Sequence, residues 1–298
     1  MEKEAKVRHY KRGFSWLCVL SVVFAPALLR ADDSPVSIRL WGGMNYLLAQ
    51  DVNDGNEGRN GLISSDAGIS GWSASGETNP VRMGYEFGGD LIINLTPRIG
   101  LGFGAGYLQG TKGSEIAFNK GTSNLVMTSK PNIRAIPLRA GLFLNLPLGE
   151  RAYLDFNVGA GYYLSKYSYE WKIEGAGYWE DVDKITHKVS ANGLGFHGGI
   201  GLEFDLAANL AFFIEGQARY AKIGGFEGTV EKHYGYHEDW TYRGEGKLYY
   251  YDLKYGANNF KQLDVRTTQP SGPYVSNVRE ADVDFSGVYA VAGIKIKF

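Results

Sequence analysis

Eight segments of this chain alternate apolar and polar residues with a period of two, and fifty positions of their apolar parity, within 38–46, 83–95, 99–107, 136–146, 152–164, 194–206, 210–220 and 286–298, carry no Asp, Glu, Lys or Arg in a protein that is 21% charged. The segments are residues 38–48, 81–95, 99–108, 135–146, 152–173, 189–206, 210–223 and 286–298. Met83, Tyr85, Phe87, Leu91, Ile93 and Leu95 show the pattern in the second, and Leu194, Phe196, Ile200, Leu202, Phe204 and Leu206 in the sixth. A period of two is the signature of a strand with two different faces. Strands of this kind, repeated along a whole chain, predict an all-β antiparallel fold.

The connections predict how the strands are ordered. Short links at 96–98, 147–151 and 207–209 alternate with long polar stretches at 51–80, 109–132, 174–184 and 224–282, all read as loops because they are rich in turn formers or lie outside the alternation. Asp90-Leu91-Ile92-Ile93-Asn94-Leu95, Gly141-Leu142-Phe143-Leu144-Asn145-Leu146 and Gly201-Leu202-Glu203-Phe204-Asp205-Leu206 each enter a short turn. The expectation is an eight-stranded up-and-down barrel, with both termini at the short-turn end.

Alternation alone does not say whether the apolar face points in or out, because a soluble barrel shows the same pattern reversed. Two features favour outward, toward lipid. Tyr46, Tyr85, Tyr107, Tyr162 and Tyr220 gather on the apolar parity at the long-loop end, as an interfacial girdle would. The opposite parity includes Gly100, Gly102, Gly104 and Gly106 in succession, which suits a crowded interior better than a solvent face.

The first 31 residues stand apart. Lys3, Lys6, Arg8, Lys11 and Arg12 precede an apolar stretch that ends at Leu29-Arg30-Ala31, which reads as a secretory signal peptide at 1–31 ahead of a single domain at 32–298. Cys18, the one cysteine, falls inside it. With a formal net charge of -1, the chain has no basic excess to suggest nucleic acid.

The last strand carries the most specific resemblance. Gly293, Ile296 and the terminal Phe298 match the insertion signal of bacterial outer-membrane β-barrels, although Val291 stands where that signal usually has a polar residue. The whole of 32–298 resembles small barrels of the OmpA/OmpX type, with longer loops. The resemblance implies an outer-membrane location, short periplasmic turns, long extracellular loops, contact with outer-membrane lipid, and handling by the barrel assembly machinery through the last strand.

The inward parity supplies the candidate site. Arg39, Arg82, Arg139, Arg219, Lys295 and Lys297 face Glu86, Asp90, Asp155, Glu203, Asp205 and Glu215, with His197 as a further hydrogen-bonding residue. The interior of eight strands is just wide enough to be filled by side chains, and buried charges must pair, so a plug of ion pairs is expected. A narrow polar conduit beside the glycine row is the alternative. Gly193-Leu194-Gly195-Phe196-His197-Gly198 has dinucleotide-binding spacing but continues as alternating strand rather than opening a helix, so no cofactor is expected. His233 and His237, near Glu231, Glu238 and Asp239, have metal-ligand chemistry without a helix or second ligand pair to fix it, and no metal is assigned. Of lipid-facing catalytic groups the apolar parity offers Ser286 and no histidine. The functional expectation is a non-enzymatic barrel acting through its external loops, above all the tyrosine-rich 224–282, in surface contact or envelope integrity. Passage of small or apolar solutes, or lipid modification, are the alternatives.

Overall fold

The computed structural model describes residues 35–176, 183–234 and 240–298. The expected signal segment 1–31, Cys18, and His237, Glu238 and Asp239 lie outside the described residues. The fold below is that of the unit Ser34–Phe298.

Sixteen strands and one helix are formed among the described residues: β1 (Val36–Leu47), α1 (Gln50–Ile69), β2 (Ser73–Glu77), β3 (Met83–Asn94), β4 (Ile99–Thr111), β5 (Ser114–Lys120), β6 (Ser123–Pro147), β7 (Ala152–Ala176), β8 (Asp183–Ala207), β9 (Leu210–Tyr220), β10 (Lys222–Ile223), β11 (Glu227–Tyr234), β12 (Trp240–Tyr255), β13 (Asn258–Arg266), β14 (Val275–Glu280), β15 (Val283–Asp284) and β16 (Gly287–Lys297). All sheet pairing is antiparallel. It runs from β1 to β3, β4, β6, β7, β8, β9 and β16, and β16 returns to β1, with Ile38 opposite Ile296 and Met44 opposite Ala290.

The strands of this circuit are the alternating segments of the sequence. Their faces sort as the parity requires: Leu40, Met44, Phe87, Phe103, Leu138, Val158, Phe196 and Ile214 are exposed, while Arg39, Trp41, Glu86, Asp90, Arg139, Tyr163 and Glu215 are buried. The apolar face is therefore the outer one.

The long connections differ from expectation. Sixteen strands form, not eight, because residues read as loops pair as well. β6, β7 and β8 run 25 residues each, well past the apolar belt. Their upper parts continue on one side into β5 and β2, and on the other into β11, β12 and β13, with β14 against β12. The stretch 51–80, expected to be a loop, begins with α1. This helix lies against β13 and is joined to it by Arg59, which donates to Asp264. A continuous apolar core fills the space beneath and around it, including Leu47, Val52, Leu108, Ile133, Tyr163, Ile223 and Phe285, all fully or almost fully buried.

Candidate functional site

Inside the circuit the charged residues meet in pairs, stacked in levels along the strands. Nearest the short turns, Lys295 Nζ lies 2.8 Å from Glu203, and Lys297 bridges Glu203 at 3.2 Å and Asp205. Asp155 accepts from the Asn145 amide at 2.6 Å rather than from a cation. One level up, Arg39 donates to Glu215 at 2.7 Å with its guanidinium 3.7 Å from the Phe213 ring centre. Arg139 donates to Asp90 at 2.9 Å and lies over Trp41, whose indole N–H donates to the other Asp90 oxygen at 2.9 Å. Highest of all, Arg219 donates to Glu86 at 2.7 Å, over the Tyr289 ring. Each arginine thus has a carboxylate for its charge and an aromatic face for its plane.

The glycine row is closely approached by its neighbours. A Cβ on Gly102 would come within 2.2 Å of the Phe143 ring, and one on Gly104 within 2.0 Å of an Asp90 oxygen. At these two positions the space a side chain would take is occupied by side chains from neighbouring strands. A void of about 10 Å³ lies beside Asp90, Gly102, Gly104, Arg139, Asn157, His197 and Gln217, room for about one water molecule. His197 faces this void, and its Nδ1 has no protein hydrogen-bond partner among the described residues.

Arg82 is the inward residue that does not belong. It precedes β3, is exposed at the rim, and donates to the Tyr46 hydroxyl on the outer face at 2.5 Å. Beyond the last paired residue the alternation no longer dictates direction. Ser286, read onto the lipid face, is also displaced: it is buried just before β16 and its hydroxyl accepts the Ala221 N–H at 2.9 Å.

At the long-loop end a second polar group was not foreseen. Arg59 of α1 reaches Asp264 of β13, which also accepts from the Tyr251 hydroxyl at 2.7 Å, and His187 of β8 lies 3.8 Å from the same carboxylate. Burial alone would raise the Asp264 pKa, but Arg59, His187, Tyr251 and Lys232 overcome it and hold the carboxyl well below its usual range. Burial pushes His187 down to about 3, assisted by Arg59, Lys232 and Arg266 and opposed by Asp264. Around them, Asp51 takes both guanidinium nitrogens of Arg279 at 2.6 and 2.7 Å, and Lys261 donates to Asp54 at 2.7 Å. The signal for this group was the helix, which the sequence hides. Glu231 is paired with Arg243 at 3.1 Å, and among the described residues no three His, Cys, Asp or Glu side chains converge as metal ligands.

A closed circuit of antiparallel strands, apolar outside and polar within, agrees with the family model for the outer membrane protein beta-barrel domain, which matches residues 15–237. The chain belongs to that family. This barrel therefore resides in the outer membrane and crosses it with strands, and no helix among the described residues is long and apolar enough to do so. No curated protein matches it. Among solved structures it is similar to the outer membrane protease OmpT from Escherichia coli at 10% identity and a TM-score of 0.29, over 92% of this chain and 99% of that one.

Proposed function

We propose that this protein is an eight-stranded transmembrane barrel of the OmpA/OmpX type, closed to solutes, whose work is done by the folded cap at its long-loop end. The circuit from β1 to β16 forms the wall, with the short turns in the periplasm and the cap outside the cell. The observation that carries the reading is the double filling of the interior. Paired charges leave a void of about 10 Å³, and the apolar core beneath α1 lies at the upper mouth. Side chains filling an eight-stranded interior leave no channel. Function then falls to the surface, as surface contact or envelope integrity, without catalysis. Residues 224–282 are the place for an extracellular ligand, since Trp240, Tyr242 and Tyr274 are exposed there and aromatic side chains are enriched at binding surfaces. Gly293, Ile296 and Phe298 are assigned to recognition by the barrel assembly machinery.

The test is planar-bilayer recording of the refolded protein. The reading expects no steady conductance. Reproducible open-channel steps would replace it with solute transport, and Arg39, Arg139, Glu86 and Asp90 would then be the lining to mutate.

A further inference from the structure

The outer wall carries a charge arrangement that the fold itself does not need. Arg134 of β6 and Lys166 of β7 are register partners, directly opposite one another, and both are exposed on the outward parity. Like charges placed opposite on one sheet face destabilise it. Neither side chain makes an ion pair or hydrogen bond among the described residues. Lys188 of β8, on the same face, stands opposite Ser168, two residues further along β7 than Lys166, and is likewise unpaired. Nearby carboxylates do not neutralise them: Glu170 is held by Lys184 at 3.1 Å, and Glu227, opposite Ser190, lies 3.9 Å from Lys247.

Height along the wall identifies the ligand. On β7 the outward apolar residues run from Leu154 to Leu164. At a rise of about 3.4 Å per residue and a tilt of about 40°, that stretch covers roughly 26 Å of membrane normal, close to the apolar band of such barrels. Lys166 is the next outward residue, so it stands about 5 Å beyond the band, at the level of lipid headgroups. Tyr162 beside it, and the Tyr85, Phe87 and Tyr107 cluster across β4, mark the same interface.

We infer that Arg134, Lys166 and Lys188 form a binding site for the phosphate headgroup of an outer-membrane lipid whose acyl chains lie on the apolar wall beneath. A phosphate between the two opposed cations turns their repulsion into two charge-assisted hydrogen bonds, with Arg134 able to donate from two nitrogens at once. The lipid tails hold it at the height where the cations are, which a free anion does not share.

The experiment is native mass spectrometry of the full protein in neutral detergent, titrated with diphosphoryl lipid A, with the same lipid stripped of its phosphates, and with inorganic phosphate. Wild type should retain one diphosphoryl lipid tightly, and Arg134→Gln/Lys166→Gln should weaken retention tenfold or more. Arg134→Lys should lose less than Arg134→Gln. Because the double variant removes a repulsion, its heat-modifiable folded form should be at least as stable as wild type in neutral detergent, which separates lost binding from lost fold. The inference is overturned if the double variant retains the lipid as well as wild type. It is equally overturned if the phosphate-free lipid binds as tightly, or if inorganic phosphate at millimolar concentration displaces the lipid.

Discussion

Glu86 shows how much the interior depends on its partners. Its carboxylate and the Arg219 guanidinium are each about 1% exposed, too buried for water to solvate either charge if the other is removed. Deleting one member of such a pair costs about 3 to 5 kcal/mol, whereas replacing both with apolar groups of similar volume is often neutral. Glu86→Ala should therefore lower stability by about that amount in urea titrations in lipid bilayers, and Glu86→Leu/Arg219→Met should recover most of it. If the double variant were no better than the single one, the pair would be doing something beyond charge compensation. Which residues face inward was legible in the alternation, because a strand within a closed circuit has no freedom to change parity. Arg82 and Ser286 fall just outside their strands, where parity ceases to bind a side chain to a face. The pairing itself was not legible. Arg39 meets Glu215 across the interior, a contact set by the circuit's curvature and by the Phe213 ring beneath the guanidinium, neither of which a linear pattern contains.

The helix α1 was hidden from the sequence for a physical reason. Gly55, Gly58, Gly61 and Gly68, with Asn53, Asn56 and Asn60, make it a poor helix by propensity and a good loop by composition. Two of the glycines are needed for approach: a Cβ on Gly58 would lie 1.9 Å from the Lys261 carbonyl oxygen, and one on Gly55 would lie 2.4 Å from Leu263 Cβ. Tertiary packing against β13 thus overrides local preference. Gly58→Ala, which would favour an isolated helix by roughly 1 kcal/mol, should instead loosen the cap, seen as faster proteolysis within 50–69 while the barrel stays heat-modifiable. The same element should respond to acid. Buried His187 is held neutral, down to about 3, whereas once the cap opens it takes a proton near its ordinary 6.5. The open form therefore binds more protons as pH falls from about 6.5 towards 3, and cap stability declines across that window. Asp264, held low in the folded cap, adds a loss in the same direction that begins as pH falls below its ordinary carboxylate value and grows further into acid. The protection factors of α1 and β13 amides, with the intrinsic fall of exchange with pH divided out, should drop below about pH 6, and His187→Gln should remove the part of that change above about pH 4.

At the scale of the molecule, wall and cap are built by different rules, and their separability can be tested. No strand from β11 to β14 pairs with more than the upper part of β8, so none takes part in the circuit from β1 to β16. Leu248, Tyr250, Leu263 and Val265 from those strands nevertheless belong to the buried core around α1. Replacing 229–276 with a short Gly-Ser turn should accordingly leave a heat-modifiable, protease-resistant barrel in the outer membrane. The same deletion strips α1 of Asp264, Lys261 and the β13 surface it lies against, so residues 50–69 should become protease-sensitive. Conductance then separates the two seals. The ion pairs from Lys297 up to Arg219 are untouched, and if they close the interior by themselves, the truncated barrel should remain silent in a planar bilayer. Steady open-channel steps from the truncated form, absent from the intact protein, would show that the apolar cap is the seal and that the charged layer passes ions once uncovered. Failure to reach a heat-modifiable form at all would show that the segment is required for the wall itself, against the pairing that leaves it out.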